Sequence, residues 1–200
     1  PQDAPVDPVL AVRGVRRTFE ADLAPVRALR GVDLDVAAGV FTGNRFRAAP
    51  VLWSQQAVAD GRMSAVVLNS GGANCFTGAF GFQTTHQTAE LAAELLGVSA
   101  GDVIVCSTGL IGTGDEVFRG KVLDGVRAAV PALSAQGGDD AAHAIMTTDS
   151  VPKQALVVGD GWSIGGMAKG AGMLAPALAT MLVVITTDAV LTPDQLDEHL

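Results

Sequence analysis

Apolar positions along the chain fall into short continuous runs separated by segments of helical spacing. Residues 65–68, Ala-Val-Val-Leu, and 103–105, Val-Ile-Val, are bounded by polar or glycine-rich positions, which predicts buried strands. Residues 181–185, Met-Leu-Val-Val-Ile, form a third run that is apolar at every position, and this predicts a strand covered on both faces. Thr180 then stands at its entrance. Between the first two runs, "TTHQTAELAAELLGV" has helical spacing with Gly97 as its stop. After the second, "VLDGVRAAVPALSA" predicts a helix broken at Pro131, and "DDAAHAIMTTD" predicts a short helix capped by its aspartates. The stretch "ALVVGDGWSIGG" predicts a hairpin that turns at Gly159, Asp160 and Gly161. Strands alternating with helices and hairpins define an α/β class.

Composition narrows the partners. Two hundred residues are enough to bury a sizeable core. Thirteen Lys and Arg stand against 21 Asp and Glu, a formal charge of −8. That balance argues against a nucleic-acid surface or a basic membrane-attracted face and for small-molecule partners. Cys75 and Cys106 are the two cysteines. They are too few for a disulfide scaffold and lack the close spacing of a zinc or redox motif, so a cytoplasmic setting is expected. The opening residues carry no basic start followed by an apolar core, and the longest apolar window, 173–185, is short and contains Pro176, so neither an export signal nor a membrane span is expected.

Several polar residues have ordinary explanations. Asp139, Asp140 and His143 resemble a metal-ligand cluster, but capping and the macrodipole account for two aspartates opening a helix, and no metal is expected. His86 and His143 fall on predicted helices without an evident partner, which argues against general-base roles. Asn69 and Asn74 in "NSGGAN" are candidates to line a cleft, yet asparagine in a glycine-rich turn is chiefly a conformational choice.

Two resemblances follow from particular segments. Within the first forty residues, "LAVRGVRRTFEADLAPVRALRGVDLDVAAG" resembles the leading strands of an ABC-transporter ATPase. A phosphate loop needs G-x-x-x-x-G-K-[ST]; after Gly39 the chain reads "VFTGNRFRAAP", and nucleotide hydrolysis is not expected. From Ala38 to about Thr192 the segments "AGVFTGNRFRAAPV", "AVVLNSGGAN", "VCSTGLIG", "AIMTTDSVPK" and "GGMAKGAGMLAPALATMLVVITTD" occur in order. Together they resemble the ornithine acetyltransferase family of arginine biosynthesis, bifunctional enzymes with glutamate N-acetyltransferase activity.

The second resemblance implies a layered α/β sandwich made as one precursor that cuts itself before a threonine, here between Ala179 and Thr180. It divides the chain into an atypical segment 1–37, a first-chain region 38–179 and the start of a second-chain region 180–200. Only 21 residues run from Thr180 onward, so the sandwich is expected to be incomplete at its C-terminus. The family implies acetyl transfer from N-acetylornithine to glutamate, no cofactor, acetyl-CoA as an open co-substrate, and a heterotetramer of two first chains and two second chains. By the same resemblance, Thr108 and Gly109 form an oxyanion hole, and Thr147, Lys169 and Thr180 bind substrate. The competing expectation is an inactive fragment or chimeric binding module that lacks the second half of the pocket.

Elementary chemistry is compatible with these assignments. A threonine hydroxyl is a poor nucleophile until a base sits beside it, and a freed α-amine on the same residue, with a pKa of roughly 7.7 to 8.0, serves at neutral pH. Before cleavage the same hydroxyl can attack the Ala179 carbonyl, and Gly170, Ala171, Gly172, Ala175 and Ala177 let the backbone bend to present it. Plainer readings stand beside each role. Thr180 is also an ordinary strand-start residue, "STGLIG" an ordinary strand-ending turn, an isolated lysine such as Lys169 usually a solvated one, and Thr147, Thr148 or Asp149 a helix-end cap. The family order predicts that Thr180 faces the Thr108–Gly109 loop across a cleft.

Overall fold

In the computed structural model, residues 36–172 and 179–200 are described in full, with the backbone of 10–12, 17–21 and 24–28. Most of the segment 1–37 and the small residues Ala175 and Ala177 therefore lie outside the described residues. Two sheets form the frame. In the first, β1 (Leu10–Val12), β4 (Ala65–Asn69) and β5 (Val103–Ser107) lie in that order, with β1 antiparallel and β5 parallel to β4. In the second, β6 (Lys153–Val158), β7 (Ser163–Lys169) and β8 (Leu182–Thr187) form an antiparallel meander. Two further strands, β2 (Arg17–Ala21) and β3 (Ala24–Ala28), pair with each other.

Side-chain alternation along β4 and β5 sorts the core into two layers. Ala65, Val67, Val103 and Val105 face α2 (Gly78–Leu96) and α3 (Glu116–Ala129), packing against Ala89, Ala92, Ala93, Phe118, Val122 and Val126. The buried stripe of α2 is made of small residues at helical spacing, which lets the helix lie close on the sheet, and Gly97 ends it in the left-handed conformation at φ 69°. Asp115 caps α3 by accepting from the Phe118 amide at 2.8 Å. Val66, Leu68 and Ile104 face the other way and pack against Met167, Leu182 and Val184 of the second sheet. The order is thus helices, first sheet, second sheet.

Helix α1 (Ala49–Ala57) covers the outer edge of β5. Ser54 Oγ donates to the Val105 carbonyl at 2.8 Å and accepts from its amide at 3.0 Å, while the Trp53 indole donates to the Val103 carbonyl at 2.9 Å. A serine hydroxyl so takes the place of a neighbouring strand.

Four expectations need correction. The run 181–185 is not buried on both faces: it alternates, with Leu182 and Val184 of β8 inward, Val183 and Ile185 exposed by 50% and 56%, and Met181, just before the strand, exposed by 61%. Nothing among the described residues covers its outer face. Strand β8 begins at Leu182, so Thr180 precedes it by two residues. Helix α4 (Gly138–Ala144) is not capped by its aspartates; its N-cap is Gly137 without a side-chain cap, and Asp139 and Asp140 sit in the first turn. That helix also ends before Thr147 and Asp149, which are free for other partners. Two helices had no sequence expectation: α1, and α5 (Pro193–His199), whose capping box pairs Thr192 with Gln195. The hairpin β6–β7, the Gly97 stop and the break at Pro131, where the chain passes into a 3-10 turn, match their patterns.

Candidate active site

The carboxyl ends of β4, β5 and β7 meet at one end of the space between the sheets. Here Lys169, the last residue of β7, points inward and is only 4% exposed. Its Nζ donates to Thr108 Oγ1 at 3.0 Å and to Thr147 Oγ1 at 2.6 Å. The reading of Lys169 as a solvated lysine and of Thr147 as a helix cap is overturned by this contact. Three of the sequence candidates, far apart in the chain, are joined by hydrogen bonds.

Asp149 anchors the cluster. Its side chain has no exposed surface, it is ion-paired with Lys153, and its Oδ2 lies 3.8 Å from Lys169 Nζ. It also accepts from the Gly170 amide at 2.8 Å and the Thr147 amide at 3.4 Å. Burial pushes this carboxyl up, but the Lys153 hydrogen bond, the two amides and the Lys153 charge outweigh it and hold the group down at about 2. Burial pushes the Lys169 ammonium down from the ordinary lysine value, opposed by the charge of Asp149 and reinforced by that of Lys153. Sequence reasoning treated Asp149 as one capping option among three. The available signal was a carboxylate at the end of the "MTTD" segment.

Gly109 follows Thr108 in a loop stitched to residues 71–75. Leu110 donates to the Gly71 carbonyl at 3.1 Å, Ala73 to the Leu110 carbonyl at 2.9 Å, and Gly112 to the Cys75 carbonyl at 2.9 Å. Glycine is required at 109: φ is +126°, and a Cβ there would lie 2.4 Å from the Gly71 carbonyl carbon. Among the described residues the Gly109 amide donates no hydrogen bond.

Thr180 is half-buried. The register pairs Lys169 with Leu182, so Thr180 stands two residues past that pair, at the Lys169 end of the β7–β8 ladder. No hydrogen bond among the described residues links it to Thr108 or Gly109, and the intervening residues 173–178 lie outside them. Ala179 is likewise half-buried, and Gly170 turns the chain away from β7 at φ 150°.

The remaining residues have structural partners. Asn69 Nδ2 donates to the carbonyls of Ser70 and Gly72, both at 3.2 Å, while its Oδ1 accepts from Ser107. Asn74, at φ 48°, ties Gly81, Thr85 and Thr77 together. His86 lies between the rings of Trp53 and Phe82, at 4.3 and 4.9 Å between centroids. His143 Nδ1 is 2.8 Å from the Asp139 carbonyl oxygen. Burial pushes the Cys106 thiol up to about 12, far from a reactive thiolate. Among the described residues no group of three or more His, Cys, Asp or Glu is placed to hold a metal, and no helix is long and apolar enough to cross a membrane. A separate open groove of about 720 Å³ is lined by Arg45, Phe46, Arg47 and Phe76 and holds none of the candidates.

The layered fold is that of the ornithine acetyltransferases. It resembles the crystal structure of ornithine acetyltransferase from Mycobacterium tuberculosis complexed with ornithine, with a TM-score of 0.69 and 43% identity, over 87% of this chain and 100% of that one. The arginine biosynthesis bifunctional protein ArgJ of Bacillus halodurans is similar at a TM-score of 0.64 and 27% identity, over 88% of this chain and 92% of that one. The ArgJ family model matches residues 10–200, taking in most of the N-terminal segment, and the chain belongs to that family. Curated relatives named arginine biosynthesis bifunctional protein ArgJ are 63% identical over 164 residues in Streptomyces coelicolor and 58% identical over 187 residues in Streptomyces avermitilis. These matches cover 82% and 94% of this chain but 42% and 48% of the relatives. The chain spans about half the length of the curated relatives it matches.

Proposed function

We propose that this chain carries the nucleophile and the oxyanion-binding half of a glutamate N-acetyltransferase of arginine biosynthesis, acting in the cytoplasm. The observation that carries this reading is the buried Lys169 ammonium donating to Thr108 beside an unengaged Gly109 amide. Because Thr108 Oγ1 accepts from Lys169, its own proton is free to donate outward. A hydroxyl and an amide on consecutive residues, backed by a buried positive charge, suit an oxygen that becomes negative during acyl transfer. Thr147 accepts from the same ammonium and has its proton free in the same way. The ammonium donates to two hydroxyls and faces Asp149 at 3.8 Å, so its third N–H is the one left to meet a substrate carboxylate.

In this reading the Thr180 hydroxyl first attacks the Ala179 carbonyl, the Ala179–Thr180 C–N bond breaks as the hydroxyl proton passes to the departing amine, and water hydrolyses the resulting ester to an Ala179 carboxylate and a free Thr180 hydroxyl on a new N-terminus. The freed amine then takes the hydroxyl proton as Thr180 attacks the acetyl carbonyl of N-acetylornithine. The C–N bond breaks, ornithine leaves with a proton on its amine, and acetyl remains on Thr180 as an ester. The glutamate amine attacks that ester and restores the threonine. Acetyl-CoA serves as an alternative donor to the same hydroxyl. The mycobacterial structure's chain is matched over its whole length by 87% of this sequence, which supports a family polypeptide divided within the matched region. Completion of the pocket then falls to a second chain, in an assembly of two chains of each kind.

The test joins this chain to the unmatched part of the S. coelicolor relative and measures acetyl transfer from N-acetylornithine to glutamate. Thr180→Ala is expected to abolish transfer and Thr180→Ser to keep part of it. Equal transfer by the alanine variant would remove Thr180 from the mechanism. The binding-module alternative predicts no transfer from any version.

A further inference from the structure

Ser70 follows β4 directly, is 2% exposed, and among the described residues its hydroxyl has no hydrogen-bond partner. Buried hydroxyls are nearly always paired, and an orphan calls for a specific explanation. Its place in the fold supplies one. The β4–β5 register ends at Asn69 paired with Ser107, and the Thr108 amide donating to the Asn69 carbonyl at 3.0 Å carries the ladder one residue further. Ser70 thereby lies beside Thr108. Alternation puts Ser70 with Val66 and Leu68, and Thr108 with Ile104, on the face that meets the second sheet. Lys169 reaches Thr108 across that same space.

The carbonyls of Ser70 and Gly72 accept from Asn69 Nδ2 and that of Gly71 accepts from the Leu110 amide, and none of them takes the Ser70 hydroxyl. A free hydroxyl next to Thr108 therefore points to a donor whose acceptor arrives with the ligand. We propose that Ser70 is a substrate-contacting residue, its hydroxyl donating to the oxygen of the bound acyl group beside Thr108. This rests on the acetyl-transfer reading and adds a side-chain donor to the Thr108–Gly109 pair. The ligand class is a carbonyl that gains negative charge, so the contact strengthens in the transition state.

Ser70→Ala and Ser70→Thr test it in the chain joined to the unmatched part of the S. coelicolor relative, by thermal unfolding and by transfer kinetics. The alanine variant loses no internal hydrogen bond, so its Tm is expected to equal or exceed that of the unaltered protein. Its kcat is expected to fall about 10- to 100-fold with KM little changed, and Ser70→Thr to recover part of that loss. A lower Tm with kcat intact would make Ser70 a structural hydroxyl and overturn the proposal. So would an unchanged kcat at an unchanged Tm, or a loss confined to KM. If Ser70→Thr fails to fold, the alanine variant alone decides. If the unaltered protein transfers no acetyl, the underlying reading fails and this inference with it, whereas failure of Ser70 alone leaves that reading standing.

Discussion

Replacing Asp149 with asparagine removes the negative charge that faces two ammonium groups while keeping the size of the side chain. Asp149 Oδ1 accepts from Lys153 and the Gly170 amide, and Oδ2 accepts from the Thr147 amide and faces Lys169. An asparagine offers one oxygen and one NH2, so whichever way it turns, a donor meets a donor. The carboxyl is held at about 2 against an ordinary 3.8. At about 1.4 kcal/mol per pKa unit this is worth roughly 2 kcal/mol, with a discount because Lys153 is partly exposed and screened. The pH dependence has a definite sign. A carboxyl whose pKa is lowered by folding stabilises the fold fully above its unfolded value and loses that contribution as pH falls through its folded value. The difference between Asp149→Asn and the unaltered chain in urea denaturation should therefore be about 2 kcal/mol at pH 7, shrink below pH 4 and be lost only as pH falls through about 2. A difference that is independent of pH, or under about 0.5 kcal/mol at neutral pH, would refute the electrostatic account of this residue.

Two further outcomes follow from particular contacts. Gly109→Ala should cost more than about 2 kcal/mol in the same denaturation experiment, because the added Cβ meets the Gly71 backbone at 2.4 Å and φ is +126°; an unperturbed variant would show that the loop relaxes freely. The outer face of β8, with Met181, Val183 and Ile185 exposed, should make the isolated chain self-associate in light scattering. Val183→Lys combined with Ile185→Lys should yield a monomer of unchanged thermal stability. A monomeric unaltered chain would contradict that expectation.

How much of this was legible from the residues differs by element. Strands β4 and β5 were readable because β-branched runs buried on both sides leave no competing period, and the hairpin because Gly-Asp-Gly dictates its turn. The same rule failed for 181–185: a run apolar at every position says that both faces want cover, not that both have it. Helix α1 was missed because the feature that places it, Ser54 bonding to Val105, is a tertiary contact with no local signature. Thr108, Thr147 and Lys169 were flagged by family order, but their mutual contact depends on two sheets stacking face to face, and local pattern says nothing of stacking. Ser70 and Asp149 escaped for the same reason. A serine in a glycine-rich turn and an aspartate after a helix have ordinary local explanations, and only their burial sets them apart.

The central claim is that Thr180 is a latent N-terminal nucleophile. Intact-mass and peptide mass spectrometry of this chain joined to the unmatched part of the S. coelicolor relative tests it most directly. The account predicts a break between Ala179 and Thr180 that is absent from Thr180→Ala, and an acetyl group on the new N-terminal peptide after exposure to N-acetylornithine. A break at that bond in the alanine variant would contradict it, as would an uncut protein that still transfers acetyl to glutamate.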